Sequence, residues 1–86
     1  MPLSQSEREL HALARELTRK GDLPRDVKRA LWAGPGDGSA CALCRRVVSA
    51  EQVEYEVEDR GGATYRFHMR CHALWLLAIS EHRETG

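Results

Sequence analysis

Three cysteines and one histidine are spaced as two metal-binding half-sites: Cys41-x-x-Cys44, then 23 intervening residues, then His68-x-x-Cys71. Thiolates and a neutral imidazole are donors that zinc prefers, four of them at the corners of a tetrahedron. Cys-x-x-Cys in a tight turn aims two sulfurs at one point. His68 and Cys71 do the same if the histidine ends a strand and the cysteine follows in the first turn of a helix, because positions three apart share a face. The set uses every cysteine in the chain, so one structural Zn2+ held by Cys41, Cys44, His68 and Cys71 is expected. Two alternatives compete. Cys41 and Cys44 alone would make a thioredoxin-like redox pair, but no βαβ pattern surrounds them. The other is a group of buried thiols beside a chance histidine. A catalytic zinc keeps one position open for water, and four protein ligands close this one. His11 and His72 are rival imidazoles, one far off in the first helix and the other pointing elsewhere on the last. No nucleophile–base pair is evident, and Gly34-Pro35-Gly36-Asp37-Gly38 matches no phosphate-binding loop. The chain is read as a non-enzyme.

The elements that must position these residues are legible in part. Ser4-Gln5-Ser6-Glu7 is a capping box, and Leu10, Leu13, Ala14 and Leu17 follow at helical spacing. A first helix is expected over about 6–20, stopped by Gly21. Asp22-Leu23-Pro24 reads as the start of a second helix, with Val27, Ala30 and Leu31 as its apolar face. Gly34–Gly38 then reads as a flexible hinge. Val53–Glu58 alternates with period two, Val53, Tyr55 and Val57 inward and three glutamates outward. Thr64–His68 alternates again after the turn Asp59-Arg60-Gly61-Gly62, so the two strands form a hairpin. With Arg60–Gly62 as the loop, Glu56 faces Arg66 as a cross-strand ion pair and Glu54 faces His68. Glu54 would then accept the other ring N–H of a metal-bound histidine; the alternative is a solvated glutamate on an acidic face. The last helix is expected over about 69–82. Its Ala73–Ile79 stretch is apolar all round and should be buried on every side. The resulting fold class is α+β: two N-terminal helices (residues 1–35) packed on a β-hairpin plus C-terminal helix zinc-binding module (residues 38–82), in a single domain over 1–86.

Residues Cys41 to Trp75 resemble a treble-clef-type zinc finger. The pattern is similar to the first zinc module of LIM domains and, more loosely, to the PARP-type Cys-Cys-His-Cys finger, through Phe67-His68-x-x-Cys71 with Trp75 nearby. The wider chain resembles a family of small bacterial proteins in its Ser4-x-x-Glu7-Arg8-Glu9-Leu10 opening, Gly36-x-Gly38 before the first cysteine, the Glu54-Tyr55-Glu56-Val57-Glu58 strand, and Phe67-His68-x-x-Cys71-His72-x-x-Trp75. That resemblance implies no activity. A LIM domain carries a second cysteine set, which this chain lacks. PARP-type fingers read DNA with basic and apolar residues, where this strand shows Glu54, Glu56 and Glu58. Zinc knuckles often have glycine after the second cysteine; Arg45 stands there, so a different turn is expected.

The chain has 86 residues and balances 13 Lys and Arg against 13 Asp and Glu. That balance lacks the broad basic footprint of a non-specific nucleic-acid binder. A core this small is commonly stapled by metal. Ser4–Arg15 is too polar for a signal peptide, and the longest apolar run, Ala73–Ile79, is far short of the ~20 residues that span a bilayer. A cytoplasmic protein with no membrane partner is expected. Arg19, Lys20, Arg25, Lys28 and Arg29 cluster between the first two expected helices, where they would meet phosphates or merely solubilise. Trp32 is an interface anchor or a core residue. The acidic strand would repel nucleic acid, attract a basic protein, or guard a sheet edge. Three functions follow: an adaptor or regulator that binds another protein, a small nucleic-acid-binding regulator, or a thiol/zinc redox sensor that releases metal on oxidation.

Overall fold

The computed structural model describes residues 3–26 and 29–85. Helix α1 (Gln5–Lys20) is followed by strands β1 (Arg29–Pro35), β2 (Val53–Glu58) and β3 (Thr64–His68), and then by helix α2 (Met69–Thr85). The architecture is α+β, with one three-stranded antiparallel sheet in the order β1-β2-β3.

α1 begins as its sequence dictates. Ser4 Oγ accepts from the Glu7 N–H at 3.1 Å, and Glu7 Oε1 accepts from the Ser4 N–H at 3.0 Å. It ends at Gly21, whose φ of 89° is left-handed and cheap only for a residue without Cβ. The Asp22 and Leu23 N–H groups then fold back onto Leu17 O. Arg25 satisfies two more terminal carbonyls, donating to Thr18 O at 3.2 Å and to Arg19 O at 2.8 Å. Ala14 and Thr18 are buried, with Leu10 and Leu17 partly so, and α1 packs on α2.

The second N-terminal helix expected over Asp22–Leu31 does not form. Its place is taken by a turn and by β1, which pairs with β2 from Arg29↔Glu58 to Pro35↔Val53 with a bulge between Ala30 and Trp32. Ala30 and Leu31 are strong helix formers, but propensity is worth only a fraction of a kcal/mol per residue, and the pairing available along β2 outweighs it. Proline is tolerated at the end of an edge strand. Val27 and Lys28 lie outside the described residues.

The stretch expected to be a hinge is tied down. Gly36 N–H donates to Gln52 O at 3.0 Å and Gly38 N–H to Val48 O at 2.9 Å, while Val48 N–H returns to Ser39 O. Ala40 pairs with Val47. The chain from β1 to β2 is therefore one extended hairpin whose tip is Cys41–Arg46. A Cβ on Gly36 would run into the carbonyl oxygens of Val48 and Ser49, so glycine is needed there for close backbone approach.

The β2–β3 register is the expected one, with Glu54↔His68 and Glu56↔Arg66, and Arg66 Nη2 lies 3.7 Å from Glu56 Oε2. Burial along β2 does not follow the expected alternation. Val57 and Glu54 are buried, Tyr55 and Glu56 are half-buried, and Val53 is exposed. β2 is no sheet edge, so its glutamates do not guard one. The core is built on Trp75, Phe67, Leu43, Val48 and Val57. Phe67 stacks on Trp75 with ring centroids 4.8 Å apart, and Trp75 Nε1–H donates to Pro24 O at 3.0 Å. α2 buries Leu74, Trp75, Ala78 and Ile79 but exposes Leu76 and Leu77 at 41% each. Its apolar stretch is thus covered on one face and open on the other, since one helix and a three-stranded sheet cannot surround it. No described helix is long and apolar enough to cross a membrane.

Candidate metal centre

Three elements bring the four donors together. The hairpin tip supplies Cys41 and Cys44, the last residue of β3 is His68, and the first turn of α2 supplies Cys71. The tip is a tight turn in which Arg45 N–H donates to Cys41 O at 3.0 Å and Cys41 N–H to Arg46 O at 2.8 Å. Arg45 adopts φ 70°, so this chain makes the left-handed turn that glycine usually makes, with arginine in glycine's place. The different turn expected from Arg45 does not occur. Leu43, between the cysteines, is fully buried and anchors the tip in the core. Ala42 N–H donates to Arg66 O at 2.7 Å and fastens the tip to β3.

The donor atoms of Cys41, Cys44, His68 and Cys71 all lie within 4.8 Å of one another. A tetrahedral zinc with Zn–S bonds of ~2.3 Å needs sulfur–sulfur edges of ~3.8 Å, so modest closure of this cluster suits the ion. Cys41 and Cys71 are buried, while Cys44 and His68 are half-buried. His68 Nδ1 lies 3.3 Å from Cys44 Sγ, and Nε2 lies 3.1 Å from Val47 O. A carbonyl can only accept, so Nε2 carries the proton and Nδ1 offers its lone pair to the cluster.

Cys41 and Cys71 share a proton unequally. The Cys71 thiol donates to Cys41, whose pKa is pushed down to about 4; backbone N–H groups of Cys44, His68 and Leu43 help, against the cost of burial. Cys71 is pushed up, first by that shared proton and then by burial. Buried sulfurs crowded around one proton are a donor set suited to a dication, which replaces the proton and neutralises the thiolates.

Nothing matches the chain among protein-family models, curated proteins or solved structures.

The other residues singled out in the sequence fall elsewhere. Glu54 does not reach the imidazole, whose second nitrogen is taken by Val47 O. Nor is it solvated: it is 2% exposed, with Oε2 3.4 Å from Arg66 Nε and Oε1 without a hydrogen-bond partner. Burial pushes its carboxyl pKa up, and the nearby Asp37 charge adds to this while Arg66 opposes it. His11 pairs with Glu81 at 2.7 Å, and His72 packs against Tyr55 with ring centroids 4.6 Å apart; neither joins the cluster. Arg19 pairs with Glu16 at 2.6 Å and Lys20 with Asp22 at 3.8 Å, while Arg25 caps α1. Arg29 opens β1, and Lys28 lies outside the described residues. Trp32 stands 45% exposed on β1, its indole close over Gly34, and does not join the core.

Sequence reasoning missed Asp37 and the Val47 carbonyl. Asp37 had a signal, because Asp-Gly-Ser is a turn in which Ser39 N–H donates to Asp37 Oδ1 at 2.9 Å. Val47 had none, since a main-chain acceptor leaves no trace in residue type. Beside the donors runs a groove of about 900 Å³ whose apolar wall is Leu10, Leu13, Val53 and Met69, and Cys44 and His68 line it too.

Proposed function

We propose that this chain is a small, non-catalytic zinc-binding protein whose one ion closes a treble-clef-type finger, and that it serves as an adaptor or regulator binding another protein in the cytoplasm. The observation that carries this reading is the convergence of four donors from a hairpin tip, a strand end and a helix start. Four protein donors leave no position for water or substrate, so zinc here supplies cross-linking rather than Lewis-acid chemistry. Several large apolar side chains remain exposed, among them Leu13, Trp32, Val53 and Met69, as on a surface made to be covered. The nucleic-acid alternative is weaker, because Arg19, Lys20 and Arg25 already serve intramolecular partners. The redox-sensor alternative is favoured by one feature: Cys44 lines an open groove, where an oxidant would reach it before the buried Cys41 and Cys71.

The test is metal content with cobalt substitution. One zinc per chain is expected. Cobalt in its place should give the intense visible bands of tetrahedral thiolate coordination, and these should weaken in Cys44→Ser and His68→Ala. A protein purified without metal, or octahedral cobalt spectra, would refute the reading.

A further inference from the structure

The sheet packs α2 on one face, through Trp75 on Phe67 and His72 on Tyr55. Its other face sets an aromatic ring among carboxyl groups. Residues directly opposite one another in an antiparallel pair share a face. The pairs Trp32↔Glu56, Gly34↔Glu54 and Glu56↔Arg66 therefore collect these residues on the side away from α2. Trp32 is exposed, and its ring lies against Gly34, where a Cβ would come within 2.5 Å of the indole. Beside it, three carboxyl groups share one guanidinium. Arg66 Nε lies 3.4 Å from Glu54 Oε2 and 3.9 Å from Asp37 Oδ2, and Nη2 lies 3.7 Å from Glu56 Oε2. All three distances exceed those of a charge-assisted hydrogen bond, about 2.7–2.9 Å. The cluster is short of donors: the buried Glu54 Oε1 has no hydrogen-bond partner, and Arg66 Nε makes no hydrogen bond.

We propose that this face binds an extended, arginine-bearing peptide segment of another protein, with one guanidinium seated against Trp32 and between Asp37 and Glu56. The proposal rests on the adaptor reading and names the chemistry of its partner. The charge of the cluster selects a cation: Asp37 and Glu56 outnumber Arg66 even when Glu54 holds a proton. The indole selects the same charge, because its ring face attracts cations, and a planar guanidinium both stacks on it and forks between carboxylates. The buried orphan oxygen gains as well. A guanidinium that takes over Asp37 and Glu56 releases Arg66 to close on Glu54, so the bound state supplies the donor that the free state lacks. The sheet edge selects a peptide over a small free cation. β1 is an edge strand, and no described backbone group outside β2 bonds to Trp32, Ala33 or Gly34. An extended segment can pair along that edge and lay alternate side chains beside the indole.

The experiment titrates the zinc-loaded full chain into a dye-labelled short peptide that alternates arginine and threonine, read by anisotropy. Peptides with glutamine or glutamate in place of arginine are the controls. Saturable binding of the arginine peptide alone is expected, and it should weaken as salt rises. Trp32→Ala and Glu56→Gln should each raise the dissociation constant about 3- to 10-fold. Gly34→Ala, which displaces the indole without removing it, should do the same, whereas Trp32→Phe should lose less than Trp32→Ala. Leu77→Glu on α2 should leave binding unchanged. No binding of the arginine peptide, equal binding of the glutamine peptide, or indifference to both Trp32→Ala and Glu56→Gln would overturn the proposal. Far-UV dichroism and zinc content on the same samples keep the two failures apart. A chain without zinc fails the metal-centre reading, and a folded, zinc-loaded chain that ignores the peptide fails this proposal alone.

Discussion

Arg45 shows how much one backbone angle contributes to the metal centre. At φ 70° its Cβ crowds its own backbone, a cost of about 1–2 kcal/mol that glycine avoids. Glycine loses more freedom on folding, by about 0.5–1 kcal/mol, which returns part of the gain. Arg45 is exposed, and no hydrogen bond or ion pair with the described residues ties its side chain down. Arg45→Gly is therefore expected to stabilise the zinc-loaded protein by about 0.5–1 kcal/mol, a rise in Tm of about 2–8 °C for a domain of this size. Arg45→Val, with a branched Cβ in the same conformation, should lower Tm. Calorimetry of the two variants decides it; a fall in both would mean that the arginine side chain holds the turn by contacts of its own.

At the scale of elements, the hairpin tip is positioned by the strands beneath it, and Gly36 sets how closely those strands approach. Gly36→Ala would push a methyl group into two main-chain oxygens, which cannot rotate away as a side chain would. Overpacking of this kind costs about 1–3 kcal/mol, and the displacement would be passed to Cys41 and Cys44 a few residues on. The variant is expected to bind zinc more weakly and to melt earlier; Gly38→Ala, strained only by its φ of 91° with open space around it, should suffer less. Competition with a chromophoric chelator measures both. The same elements mark what was legible in the sequence. The capping box, Gly21, the β2–β3 register and the four donors could be read because each rests on local spacing. β1 could not, since Arg29–Pro35 has no alternation and owes its extended form to β2, whose paired residues lie 18 to 29 positions further along the chain. The outward apolar face of α2 was hidden for a related reason: an all-apolar stretch has no period to say which side is covered. Glu54 was misread because its residue type suggested solvent, whereas its place in the central strand decided otherwise.

At the scale of the whole molecule, metal and fold should be inseparable, and the argument runs through connectivity. The donors join the hairpin tip, the end of β3 and the start of α2, so the cluster is where the sheet and the second helix are tied. α1 packs on α2, and a lone 16-residue helix is marginal in water even with a good cap. If α2 loses its anchor at Cys71, α1 loses its support. A structural zinc contributes on the order of 10–16 kcal/mol of apparent binding free energy, as much as or more than the ~5–15 kcal/mol that typically separates folded from unfolded chains. Chelation should therefore unfold the protein cooperatively rather than loosen the tip alone. Helical dichroism at 222 nm, to which both α1 and α2 contribute, should collapse in one transition with the release of zinc. Trp75, fully buried and hydrogen-bonded to Pro24, should shift its fluorescence to the red in the same transition, while the already exposed Trp32 contributes little. Cys41→Ser should reproduce the chelated state without chelator. Retention of helix and of the Trp75 emission after complete metal removal would show instead that the core of Trp75, Phe67, Leu43 and Val48 holds by itself and that zinc only fixes the tip.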